Sequence, residues 1–178
     1  MKALPQEYQL LCEAFDALPG IGPDNARRLT EWLVYRGNAD SMAGVLSGIA
    51  SLTVCEGCNR LARMSLCDTC TSFNGTGGMF LVVDSESSFD RIRSAGFKGP
   101  HFVLHGELSP TRGVGPSDLK MNWLFARLTA LVPDSLLLAT GGSVEGRATA
   151  EYISRRSGIA GRILTVPEVL EQLESSVE

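Results

Sequence analysis

The stretch Cys55-Glu56-Gly57-Cys58, followed after eight residues by Cys67-Asp68-Thr69-Cys70, decides how this chain is read. Thiolates are soft ligands, and a C-x-x-C turn presents two of them to one ion. Two such turns complete a tetrahedral four-cysteine site of the kind that holds zinc. Protein would fill every coordination position, so the spacing predicts one structural Zn2+ per chain, with no place for a substrate on the metal. His101 and His105 are not required as ligands. The knot also marks a change of pattern. Residues before it read as helices, and residues after it alternate between strand and helix.

Upstream, Tyr8, Leu11, Cys12 and Phe15 recur at helical spacing over 6–17. Cys12 reads as a small buried hydrophobe of that helix. The segment Leu18-Pro19-Gly20-Ile21-Gly22-Pro23 then predicts a tight turn. Pro23 suits the first position of a second helix, where its missing N–H costs nothing. That helix carries Ala26, Leu29, Trp32 and Leu33 on one face and should end near Arg36-Gly37-Asn38. A third helix is expected over 41–52, with Met42, Val45, Leu46 and Ile49 facing inward.

Two helices around such a turn make a helix-hairpin-helix. Its backbone N–H groups, at Gly20, Ile21 and Gly22, would meet a phosphate oxygen, and Arg27 and Arg28 would add charge. A contact of this kind reads no bases, so DNA binding would be independent of sequence. Asp24 sits where a basic residue would serve better. The competing reading is a tight turn that only packs.

Downstream, the Gly-rich stretch 71–78 suggests a boundary. Met79 to Val83 is a short apolar run ending at Asp84, suited to a strand buried on both faces. Further strands are expected over 101–104, 135–139 and 162–166. Helices are expected over 87–94, 119–131 and 144–156, and Pro167 opens a final acidic helix. This alternation predicts an α/β fold, with a parallel sheet carrying helices on both faces. Asp84, Glu86 and Glu145 follow strand ends, where open parallel sheets place their sites. Three acids there either hold Mg2+ for phosphoryl chemistry or are solvated acids of loops and helix starts. The loop 105–116 has three glycines and two prolines. It is long enough to be functional, or it merely connects. It contains no phosphate loop of the G-x-x-x-x-G-K type.

Composition narrows the class. With 44% hydrophobic and 20% charged residues, the chain reads as a soluble globular protein of 178 residues. The net charge of −4 argues against broad nucleic-acid affinity, so any DNA contact must come from local geometry. No apolar run approaches the roughly 20 residues that cross a bilayer. The N-terminus has early acids and no small-residue cleavage site, so no secretion signal is expected. A cytoplasmic setting favours metal over disulfides.

The order of these parts resembles the RecR recombination-mediator family, whose sheet domain is of the Toprim class. The likeness covers residues 8–166. Besides the cysteines it rests on Leu18-Pro19-Gly20-Ile21-Gly22-Pro23, Val82-Val83-Asp84-Ser85, Leu108-Ser109-Pro110 and Gly113-Val114-Gly115-Pro116. It continues through Leu138-Ala139-Thr140, Val144-Glu145-Gly146 and Ala148-Thr149-Ala150.

The resemblance implies a bacterial, non-enzymatic DNA-repair protein. It implies dimers and ring-like tetramers that encircle DNA, single-stranded or gapped duplex. With RecO- or RecF-like partners, such proteins help load RecA recombinase. The expected divisions are a helix-hairpin-helix region at 1–53, a four-cysteine zinc finger at 54–72, a Toprim domain at 78–166 and an acidic helix or tail at 167–178. Asp84, Glu86 and Glu145 would remain as partner-binding or vestigial Toprim acids.

Three departures stand out. Asp24 replaces a Lys common in the family. Active Toprim enzymes carry Glu after the first strand and Asp-x-Asp after the third, where this chain has Asp84 and Gly141-Gly142-Ser143. RecR itself usually has Asn at the position of Gly141. The family's Gly-Pro-rich acidic tail, which helps close the ring, is replaced from position 166 by VPEVLEQLESSVE. Two alternatives follow: a Toprim metal-dependent phosphoryl-transfer enzyme using Asp84, Glu86 and Glu145, or an interaction module that pairs with RecR or its partners without binding DNA.

Overall fold

A computed structural model describes residues 4–73 and 75–175. It divides into two compact units, one running to Ser51 and one starting at Leu52.

The first unit holds helices α1 (Gln6–Asp16), α2 (Pro23–Tyr35) and α3 (Ala39–Ala50). Ala26, Thr30 and Leu33 of α2 are buried, and the Thr30 hydroxyl donates to the Ala26 carbonyl at 3.0 Å. In the turn before α2, the Ile21 N–H donates to the Leu18 carbonyl at 3.1 Å. Gly20 takes φ +81°, a conformation that favours glycine. Asn38 caps α3 by accepting from the Ser41 N–H at 2.9 Å.

One expectation fails here. Met42, Val45, Leu46 and Ile49 do not face inward. They are 41–59% exposed, and α3 buries no residue at all. Leu29 and Trp32 of α2 are exposed as well. Helical spacing sorts apolar residues onto one face but does not supply a surface to cover that face.

The second unit is built on a parallel sheet in the order β4-β3-β5-β6. Its strands are β3 (Met79–Val83), β4 (His101–Val103), β5 (Ser135–Ala139) and β6 (Gly161–Ile163). Before them, β1 (Thr53–Val54) and β2 (Leu61–Ala62) form a small antiparallel ribbon, and α4 (Asp68–Ser72) is a single short turn. The inner strands are continuous apolar runs because both faces are covered. Phe80, Val82, Leu136 and Leu138 pack in one core with Leu124 and Leu128 of α6 (Met121–Leu131) and Ile153 of α7 (Val144–Ser157). Leu81, Val83, Leu137 and Ala139 pack in the other with Phe89 and Ile92 of α5 (Glu86–Ser94) and Val169 of α8 (Val166–Glu174).

The strand expected over 162–166 stops at Ile163. Thr165 belongs to the next helix instead. Its side chain accepts from the Glu168 N–H, and the Glu168 carboxylate accepts from the Thr165 N–H at 2.6 Å. This capping box starts α8 at Val166. The Gly-rich stretch is tied at its far end: the Gly77 N–H donates to the Leu131 carbonyl, and the Gly78 N–H to the Asp134 carboxylate at 2.6 Å.

Gly146, in the first turn of α7, sets how closely that helix meets the end of β5. A methyl group there would lie 1.8 Å from the Thr140 carbonyl oxygen and 2.6 Å from the Glu107 carboxylate. Gly146→Ala should therefore lower stability by about 3 kcal/mol through overpacking against backbone. Urea unfolding would show this as an earlier midpoint at unchanged slope. An unmoved midpoint would mean that α7 can slide away at no cost.

Candidate metal centre and carboxylate cluster

Cys55 and Cys58 sit in the turn between β1 and β2, Cys67 is the N-cap of α4, and Cys70 lies inside α4. Their four sulfurs lie within 4.8 Å of one another. Cys58 Sγ and Cys67 Sγ are 3.7 Å apart. A tetrahedron with Zn–S bonds of about 2.3 Å has edges of about 3.8 Å, so the set fits such an ion. None of the four is in a disulfide.

The surrounding backbone is shaped to the sulfurs. The Cys67 N–H donates to Cys55 Sγ at 3.3 Å, and the Asn59 N–H closes the first turn on the Cys55 carbonyl at 2.7 Å. A Cβ at Gly57 would stand 3.0 Å from Cys70 Sγ. Hydrogen bonding from Cys58 pulls the Cys70 thiol down to about 6, and the same bond, with burial, pushes Cys58 up. A cation bound there would displace the thiol protons. Among the described residues, this is the one place where three or more metal-ligating groups converge.

The first cysteine turn is fastened to the edge strand β4. The Val103 N–H donates to the Cys58 carbonyl at 2.9 Å, and the Asn59 side-chain amide donates to the Val103 carbonyl at 2.7 Å. Arg60 continues the joint. Its Nε donates to Glu86 at 2.6 Å, its Nη2 to Asp90 at 3.1 Å, and its guanidinium lies 4.3 Å over the Phe89 ring. Phe89 in turn stacks on the buried His101 at 4.0 Å. Burial, and then the nearby Arg60 charge, lower His101 to about 4, so its ring stays neutral at physiological pH.

The three strand-end acids go to three different partners. Glu86 pairs with Arg60. Asp84 accepts from the Ser85 hydroxyl next to it at 3.0 Å. Glu145, in the first turn of α7, accepts from the Ser109 hydroxyl and from Arg112 Nη2 at 2.6 Å. The loop 105–116 that supplies Ser109 and Arg112 is ordered. It folds through a 3-10 turn (Pro110–Arg112), and Ser109 and Val114 exchange backbone hydrogen bonds at 3.1 and 2.9 Å. Glu107 accepts from the Ser143 hydroxyl at 2.7 Å, and the Leu108 N–H donates to the Thr149 hydroxyl at 2.8 Å. Hydrogen bonding from Ser109, followed by the Arg112 charge, holds the Glu145 carboxyl below its ordinary range.

In the first unit, Gly20, Gly22, Arg27 and Arg28 are exposed and Ile21 is half-buried. Nothing lies within 4 Å of where a Cβ would stand at Gly20 or Gly22, so the hairpin backbone is open to approach. Asp24 is exposed in the first turn of α2.

Sequence reading alone assigns no partner to Asn59, Arg60, His105, Ser109 or Arg112. Asn59 and Arg60 have one local signal, their place directly after a C-x-x-C turn. For the others, the partner lies more than thirty residues away.

Residues 80–166 match the model of the Toprim domain family. Over 165 residues the chain is 35% identical to the recombination protein RecR of a Thermus thermophilus strain, an alignment covering 92% of this chain and 84% of that protein. It is 39% identical over 158 residues to RecR of Methylococcus capsulatus, covering 84% and 79%. It is 35% identical over 160 residues to RecR of Alcanivorax borkumensis, covering 86% and 78%.

The Glu145 clamp has a definite pH sign. Its folded carboxyl is depressed, so its contribution is complete above the ordinary carboxylate range and is lost as pH falls through the depressed folded value. Glu145→Gln should be less stable than the native chain at neutral pH and should lose less stability on acidification. Urea unfolding from neutral pH down through the carboxylate range measures both. Equal acid losses in the two proteins would mean the carboxylate is not held by Ser109 and Arg112.

Proposed function

This chain belongs to the RecR family of recombination proteins, and from that premise we propose that it is a DNA-binding mediator of recombinational repair with no chemistry of its own. One observation carries the reading. Asp84, Glu86 and Glu145 are spread over separate protein partners, while the hairpin backbone lies open. A phosphoryl-transfer enzyme would need those acids gathered on one Mg2+.

The hairpin meets DNA through the phosphate backbone. The first turn of α2 has N–H groups with no partner inside the helix, and these favour an anion. Arg27 and Arg28 add charge and Asp24 subtracts it. Contact is therefore weak, salt-sensitive and blind to base sequence, and it suits single-stranded or gapped DNA.

The four cysteines hold one structural zinc, which braces the second unit and offers no reactive position. The bare apolar face of α3, with Met42, Val45, Leu46 and Ile49, is covered by a second copy of the chain in a dimer, and dimers close into a tetrameric ring. The 105–116 loop and the acids beside it meet a RecO- or RecF-like partner, and the assembly helps load RecA recombinase in the bacterial cytoplasm. Among the described residues, no helix is long and apolar enough to cross a membrane.

Asp24 and the net charge of −4 favour a second reading, a module that pairs with RecR or its partners without touching DNA. Fluorescence anisotropy with a labelled single-stranded oligonucleotide over a salt series separates the two. The mediator reading expects affinity to fall with salt, and Arg27→Ala or Arg28→Ala each to shallow the salt slope by about one. Asp24→Lys should tighten binding by about tenfold at low salt. Binding by Asp24→Lys alone would favour the pairing module. Mg2+-dependent DNA cleavage abolished by Asp84→Asn would overturn both.

A further inference from the structure

The first cysteine turn ends on Asn59, and the loop 105–116 begins on His105. Both residues hold a left-handed backbone, with φ +62° and +56°. Among residues with side chains, Asn and His take this conformation more readily than most, so a single local contact is enough to fix them there. These two hold each other. His105 Nε2 lies 2.6 Å from the Asn59 carbonyl oxygen, so that nitrogen carries the hydrogen and donates it.

Each end of this bond is fixed by a different structure. On one side, Asn59 is buried and held at both its backbone and its side-chain amide. Its N–H reaches the Cys55 carbonyl, and its side-chain amide reaches the Val103 carbonyl. Its carbonyl therefore sits where the metal turn places it. On the other side, the residues after His105 are committed to the carboxyl end of the sheet. The Gly106 N–H donates to the Asp84 carbonyl at 2.9 Å. Glu107 takes the Ser143 hydroxyl, Leu108 takes Thr149, and Ser109 with Arg112 takes Glu145.

We propose that His105 is a positioning residue that couples the metal turn to the 105–116 loop, so that filling the four-cysteine site presets the loop's closed form on Glu145. The proposal rests on the reading of the cysteines as zinc ligands. The physical step is short. Without a cation, only hydrogen bonds draw the sulfurs together, and the turn that holds Asn59 left-handed is freer to relax. The Asn59 carbonyl then leaves His105, whose left-handed backbone loses its side-chain anchor, and the loop opens from its first residue. Linkage makes the effect reciprocal: a loop that closes better on a filled site also retains the metal better, by the same factor. His105 is exposed, so water competes for the bond and the factor is modest, about fivefold for one hydrogen bond.

The test uses the full chain and begins with its zinc content. His105→Gly removes the imidazole and suits the left-handed backbone, and His105→Gln restores a side-chain N–H donor. Two rates are followed: zinc transfer to a coloured chelator, and tryptic cleavage after the exposed Arg112. The expected result is that His105→Gly speeds both by about fivefold and that His105→Gln returns both toward native. Chelating zinc from the native chain should likewise speed cleavage after Arg112. Faster cleavage in His105→Gly with unchanged zinc release would overturn the coupling and leave the zinc reading intact. So would equal rates in the Gly and Gln variants, or cleavage indifferent to chelation. A purified chain with no zinc would overturn the zinc reading and the coupling together.

Discussion

Two hydrogen bonds join the first cysteine turn to strand β4, from the Val103 N–H to the Cys58 carbonyl and from the Asn59 amide to the Val103 carbonyl. A parallel sheet leaves a row of backbone groups open along each edge, and β4 is such an edge. Here the turn that gathers Cys55 and Cys58 occupies it. Each bond contributes only about 1 kcal/mol by itself. The four-cysteine set behind them can bind a metal ion with far larger folding free energy, on the order of 10 kcal/mol for structural zinc. The edge strand therefore carries the cysteine turn along its outer side as well as its short ladder to β3 on the inner side.

What lies around the joint follows from it. Arg60 leaves the turn to pair with Glu86 and Asp90 and to cover Phe89, and Phe89 covers His101. His101 is buried, and among the described residues neither ring nitrogen reaches a partner in good hydrogen-bond geometry, a setting that favours the neutral imidazole. Glu86, which the sequence offers as a strand-end acid, is drawn toward the cysteine turn. Glu145 is drawn into the loop by Ser109 and Arg112. Two of the three strand-end acids, Glu86 and Glu145, thus serve as anchors for neighbouring segments.

The cysteine knot and the sheet were legible in the sequence for a common reason. A C-x-x-C spacing and an apolar run such as Met79 to Val83 are local signals, and each states its own physics. The capping box at Thr165 and Glu168 is also local. It competes with a strand pattern over the same residues, and the helix takes Thr165 at the strand's expense. The bare face of α3 was not legible, because periodicity shows which residues share a face and not what covers it. The order of the 105–116 loop was hidden too. Its bonds from Ser109 and Arg112 to Glu145, and from His105 to Asn59, link residues far apart in the chain, and single residue types such as Ser or His do not announce distant partners.

The central claim, that a filled four-cysteine site holds the β4 edge of the sheet, is tested most directly by amide hydrogen exchange at Val103 with and without zinc. With the metal removed, Val103 should exchange at least about tenfold faster, reflecting loss of its bond to the Cys58 carbonyl, and by a larger factor than the central-strand amides of Leu137 and Leu138. Val103 staying fully protected in a metal-free, folded chain would contradict the claim.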